Sequence, residues 1–218
     1  MIDMRDAKRY VIDGDEKYTG LAGDLAVMWS IWNTLEFDGK INFVQVVPIS
    51  LKLAPVLGRD DSLGYFCGRH DIPGIASKTF IGINVALNAE SACYYERTLY
   101  HELAETLLHE MCHQWCHQNR VKDCDPDGTH TKVFRDTATA HGLTCYERQD
   151  GWSLTRVRKG HWKPFYDAAR RFDDAAKAYD GYHGGPIAHK LRSTHIRHWE
   201  PPCTRLDEID YRLSIGAA

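Results

Sequence analysis

Three histidines, two cysteines and a glutamate crowd into the stretch from Leu107 to His117, LLHEMCHQWCH. His109 and His113 are four residues apart, so on a helix they point the same way from successive turns. Two imidazoles so placed reach a single zinc ion at ~2.0–2.1 Å. Glu110 then lies beside the metal without having to bind it. It is placed to act as general base on a zinc-activated water, and afterwards as proton donor. This is the H-E-x-x-H arrangement, in which zinc lowers the pKa of water toward ~7 and polarises a carbonyl. The plainer alternative is a chance pentapeptide on a polar helix face. The long periodic helix that surrounds it favours the metal.

A catalytic zinc takes a third protein ligand and keeps one position open. His117 lies four residues further on, but about 12 Å from His109 along the axis, too far to share one ion without unwinding the helix. The spacing of a metzincin places its third histidine at Asn119. A glutamate roughly twenty residues on has no counterpart, Asp136 being the nearest acid. His130 remains, seventeen residues past His113 and beyond a Pro/Gly loop that turns the chain back. It opens the segment carrying Phe134, which would pack beneath it. His141 is the reserve, roughly 16 Å further along that helix. Cys112 and Cys116 are also four apart, yet Cys112 points about 100° away from His113, which makes the pair half-buried thiols. His101, Glu102 and Glu105 read as a solvated face, with some scope for one of them to orient a zinc ligand. For the group that stabilises the oxyanion, Tyr146, His141 and Tyr65 are the candidates.

The elements that must position these groups follow from periodicity. Leu21, Leu25, Met28, Trp29, Trp32 and Leu35 predict an amphipathic helix, closed by Asp38-Gly39. Ile41 to Val47 predicts a strand ending near Pro48, and Leu57–Cys67 a less regular extended stretch. Thr79 to Leu87 alternates as a strand. The clearest helix runs from about Ser91 or Glu96 to His117, with a stripe of Leu99, Leu103, Leu107 and Met111. A polar loop spans 119–130. A helix through Phe134 follows, with Gly142 at its C-terminal cap. A short strand at Ser153–Val157 and a helix at about Pro164–Tyr179 complete the assignment, and residues 181–204 have no reading.

Several of these stretches together resemble the SprT-like family of zinc metallopeptidases, which includes the Spartan proteases. They are LLHEMCH at 107–113, His130-x-x-x-Phe134 with Gly142-Leu143, WNxxEFxGKI at 32–41 and GINVALN at 82–88. The resemblance covers about residues 20–145. It implies an α+β, zincin-like (minigluzincin) fold: an N-terminal helix, a small three-stranded sheet, the H-E-x-x-H helix, and a following helix carrying the third ligand. It also implies one catalytic zinc held by His109, His113 and His130, with an extended peptide lying along the strand at 79–87. Thr131 stands where the family commonly has glycine. No C-x-x-C pair occurs to match the C-terminal zinc ribbon of many members.

Composition sets the frame. The chain has 218 residues, 43% of them hydrophobic, with a formal charge of −3, enough for one substantial core. No apolar run approaches the roughly 18–20 residues needed to cross a bilayer, and no signal peptide is visible, so the expected compartment is the cytoplasm. Seven irregularly spaced cysteines suggest no disulfide framework, and Cys67, Cys93, Cys145 and Cys203 read as thiols. The expected organisation is a flexible 1–19, a metallopeptidase domain at 20–150, and a basic, aromatic extension at 151–218 packed on it. Residues 1–150 carry 15 Lys/Arg against 22 Asp/Glu, whereas residues 151–200 carry 10 against 5. Arg156, Arg158, Lys159, Lys163, Arg170 and Arg171 interleave with Trp162 and other rings, a pattern able to hold single-stranded nucleic acid. The competing reading is a helix whose Trp162, Phe165, Tyr166 and Phe172 face packs on the domain. His183, His189, His195 and His198 are a weak candidate for a second metal site.

The leading expectation is therefore a zinc endopeptidase acting on protein substrates, with DNA a candidate partner through the 151–200 basic region. The alternative is a zinc-stabilised binding or regulatory module with little turnover.

Overall fold

Between Leu21 and Trp32 the chain is so apolar that its helix has almost no side to turn to water. The computed structural model describes residues 16–49, 62–68, 79–148 and 151–177. In it α1 (Glu16–Glu36) is buried on nearly every side from Leu21 to Trp29. The expected amphipathic helix is thus a central one, because β1, α3 and α5 all pack against it. Its tryptophans are tied by hydrogen bonds as well as by packing. Trp29 Nε1 donates to Gln114 Oε1 at 3.0 Å, and Trp32 Nε1 to the Ala104 carbonyl at 2.9 Å. Each such pair satisfies a buried polar group that would otherwise be costly.

The three-stranded sheet has the order β1–β3–β2, with β1 (Gln45–Ile49), β2 (Gly64–Cys67) and β3 (Phe80–Asn84). β1 runs parallel to β3 and β2 antiparallel to it. β1 continues through Pro48, where the sequence predicts a stop. Its place at the edge of the sheet explains this, since a proline there need not donate to a neighbour. β3 ends earlier than its alternation predicts. Asn84 caps a helix through its side chain, which accepts from Leu87 N at 3.2 Å. Val85 and Leu87 accordingly lie in α2 (Val85–Tyr94), and α3 (Leu99–Gln118) is a separate helix capped by Thr98. The break between them has Glu96 at φ 52, in the left-handed region that interrupts any helix.

α4 (Lys132–Ala140) ends at His141 and Gly142, the glycine at φ 86 as a helix terminus of this kind requires. The chain then forms a hairpin of β4 (Leu143–Arg148) and β5 (Gly151–Val157), of which only the second strand is predicted. β4 was hidden because Leu143 is its one buried residue, so it shows no clear alternation. α5 (Lys159–Lys177) returns to α1. Phe165 is fully buried and stacks on Trp32 at 4.2 Å between ring centroids, while Trp162 and Tyr166 pack around the same core. Residues 1–15, 50–61, 69–78, 149–150 and 178–218, with the histidines at 183–198 and Cys203, lie outside the described residues. No helix among those described is long and apolar enough to cross a membrane.

Truncating Phe165 to Ala should cost about 3–5 kcal/mol, the usual range for a buried aromatic. Urea unfolding would measure it, and a loss below about 1 kcal/mol would show that α5 contributes little to the core.

Candidate metal centre

α3 is buried along most of its length, and its few half-exposed positions include His109 and His113. Their Nε2 atoms lie 3.2 Å apart. His130, just before α4, brings its own Nε2 to 3.1 Å from each. Three nitrogens around one tetrahedral zinc at ~2.05 Å should stand roughly 3.3 Å from one another, so the triangle is close to that of a ligand set. Phe134 is completely buried beneath the rings, its centroid 4.4–4.7 Å from all three. Among the described residues no fourth His, Cys, Asp or Glu joins this group.

The opposite ring nitrogens are engaged. His113 Nδ1 donates to Asp123 Oδ2 at 2.6 Å, and His109 Nδ1 meets Thr155 Oγ1 at 3.0 Å. A neutral imidazole that donates from Nδ1 presents a lone pair at Nε2. The three Nε2 atoms face one another around the centre of the triangle, where a cation is the natural neighbour. Burial lowers His109 well below the usual histidine value, and the His113 and His130 rings act in the same direction. For His113, burial also pulls down, but the Asp123 hydrogen bond, the Cys124 thiol and the Glu110 carboxylate push it up to about 10. The surroundings deny His109 a proton while favouring positive charge at His113. One divalent cation between the Nε2 atoms meets both demands, and the residues fit zinc.

His130 is held by its backbone. It bridges to Cys124 on one side and to Gly151 on the other. Thr131, where the family commonly has glycine, closes the loop behind it: its amide and its hydroxyl donate to the Asp123 carbonyl at 2.8 and 2.9 Å. Glu110 is 4% exposed and lines two hollows of about 480 and 720 Å³ that share His109, Glu110, His130 and Gly64. The cleft wall opposite α3 is β2. There, a Cβ on Gly64 would lie 2.7 Å from Thr106 Cγ2 and 3.0 Å from Glu110 Oε1, so only glycine lets the strand come this close.

Other expectations divide. His117 is exposed, its ring tilted 5.2 Å from Phe66, and it does not join the cluster. His141 stacks on Phe37 and hydrogen-bonds the Glu36 carbonyl at 2.6 Å, away from the site. Tyr65 lines one hollow, whereas Tyr146 is exposed on β4. Cys112 and Cys116 are fully rather than half buried, and burial pushes both thiols up. Cys93 is disulfide-bonded rather than a thiol, being half-exposed near the end of α2. The expected peptide path along 79–87 is corrected too. β3 is central and paired on both sides, and the sheet residues facing the cleft belong to β2.

Glu102 and Glu105 are not a solvated face; they are 1% and 5% exposed. Arg97 reaches both, at 3.2 and 3.1 Å, and Arg156 reaches Glu105 at 2.9 Å. Periodicity marks them as a polar stripe, but the turn before α3 supplies Arg97 and β5 supplies Arg156, and the two arginines close over it. His101 is half-buried against Trp162 and Tyr166. Trp162, Phe165 and Tyr166 of α5 thus turn inward, in line with the packing reading of that segment, while the Phe172 side chain lies outside those described. Asp123 and Thr155, the partners of His113 and His109, carry no signal in the sequence. Each is a single polar residue in an irregular loop or short strand.

Replacing Gly64 with Val should push β2 off α3 and displace Glu110, lowering stability by about 1–3 kcal/mol, the range for overpacking. Denaturant unfolding would check this; a neutral change would mean that β2 does not press on Glu110.

No curated protein and no solved structure matches the chain. The sequence model of the SprT-like family matches residues 82–149, which run from β3 to the end of β4 and contain His109, Glu110, His113 and His130. The segment that carries the histidine cluster is therefore SprT-like, in an α+β fold compatible with that family.

Proposed function

We propose that this chain is a zinc-dependent peptidase that hydrolyses peptide bonds in protein substrates. The observation carrying the reading is the convergence of the His109, His113 and His130 Nε2 atoms at 3.1–3.2 Å, with Glu110 in the same cleft. Those three histidines would hold the metal. Zinc bound there supplies Lewis-acid polarisation of a carbonyl and a more acidic water.

Glu110 has the part of general base. Its carboxylate takes a proton from the attacking water and returns it to the leaving amine. Its burial between α3 and β2 keeps bulk water from competing for that proton. β2 borders the cleft as an edge strand of its sheet, so an extended substrate segment can add beside it through main-chain hydrogen bonds. The cleft runs past the cluster on both sides, which suits an internal segment of polypeptide and hence endopeptidase action. Asp123 orients His113 and strengthens it as a donor, as carboxylates behind zinc-binding histidines generally do.

Glu110→Gln should leave zinc binding intact and reduce cleavage of an unstructured protein such as casein by ~10²-fold or more. His130→Ala should lose stoichiometric zinc altogether. Metal content and cleavage measured on the same preparations separate the two roles. A Gln variant as active as the unaltered chain would remove Glu110 as the base.

A further inference from the structure

β5 lies beyond the SprT-like segment, which ends at residue 149, yet it touches two of the three cluster histidines. Glu105 and His109 are four apart on α3, a rise of about 6 Å. Thr155 and Val157 are two apart on β5, about 6.6 Å along the strand and on one face of it. The two spacings nearly match, and the pairs meet. Glu105 Oε2 accepts from the Val157 amide at 2.7 Å, and His109 Nδ1 meets Thr155 Oγ1 at 3.0 Å. Arg156 adds its own bond to Glu105 at 2.9 Å. Glu105 is thus a clamp that sets the register of β5, and Thr155 is delivered to His109 by that register. Thr155 is 6% exposed, so its hydroxyl has little water to turn to.

The start of the strand grips the third histidine. Gly151 has φ 77, and a Cβ there would lie 2.3 Å from the His130 carbonyl oxygen. The Trp152 amide approaches the same oxygen at 3.5 Å. One short strand therefore orients His109 through a side chain and seats His130 through its backbone.

We propose that β5 is an integral part of the metal centre, with Thr155 a positioning residue that holds the His109 ring so that Nε2 faces the metal. This rests on the reading of His109, His113 and His130 as the zinc ligands. The proposal adds that a chain truncated at the family segment would have an incompletely supported site.

The test compares Thr155→Val, which keeps the shape and removes the hydroxyl, with Thr155→Ser, which keeps the hydroxyl. Zinc affinity is read by competition with a chromophoric chelator, and ligand geometry by the visible spectrum of the cobalt(II)-loaded chain. Unfolding of each variant in excess chelator checks that the metal-free fold is retained. The Val variant should bind zinc about 10–100-fold more weakly with an altered cobalt spectrum, and the Ser variant should restore both. A Val variant that binds as tightly as the unaltered chain overturns the proposal. Equal weakening by Val and Ser overturns it as well, because the hydroxyl would then not be the cause. If the unaltered chain itself binds no zinc, or His109→Ala binds as well as it does, the metal reading fails instead.

Discussion

Three imidazole nitrogens aimed at one point crowd each other, and the rest of this structure is arranged so that the rings cannot turn away. α3 contributes two of them from adjacent turns. The third must come from a segment that leaves α3, reverses and returns. The loop between α3 and α4 does this with its own hydrogen bonds: Asp125 N to the Thr129 carbonyl, Gly128 N to the Asp125 carbonyl, and Thr131 N to the Asp123 carbonyl. Phe134 fills the space beneath the rings, so none can rotate down. Asp123 and Thr155 hold two of them from behind. A half-buried cluster of this kind favours a cation at its centre or a proton in its place.

A site of this precision needs a helix that does not move, which explains the burial of α3. Tryptophans from α1 donate to its Ala104 carbonyl and Gln114 side chain. Gln114 in turn donates to the Asn42 carbonyl at 2.6 Å, and so ties the helix to the chain entering β1. On the opposite side Glu102 and Glu105 are locked by Arg97 and Arg156. Burial raises the Glu105 carboxyl, while the Val157 amide and the arginines pull it back toward ionisation. Removing one arginine from such a set leaves a carboxylate buried without full compensation, which costs more than the pair itself contributes. The acids thus hold helix, strand and sheet in one register around the histidines.

Much of this was legible in the residues alone. The four-residue step from His109 to His113, the stripe from Leu99 to Met111 and the placement of His130 over Phe134 are local or nearly local. Axial rise on a helix sufficed to leave His117 out. The break at Glu96 was obscured because α2 and α3 share helical spacing across it, and only a left-handed backbone at one residue separates them. The acids one turn before the motif were misread for a related reason. Periodicity reports which face is polar, and says nothing of whether an arginine from another element closes over it.

What the sequence determined by itself, then, is a set of side chains and their scaffold: two histidines and a glutamate on one helix, and a third histidine across a loop. Those follow from spacing, because helical geometry turns residue number directly into direction. The tertiary structure alone decided the partners of the clustered histidines and the wall of the cleft. Thr155, Gly151 and Gly64 act through contacts between elements distant in the chain, and Asp123 through an irregular loop that folds back on α3, so these contacts depend on how the segments dock. No periodicity within one element encodes that docking.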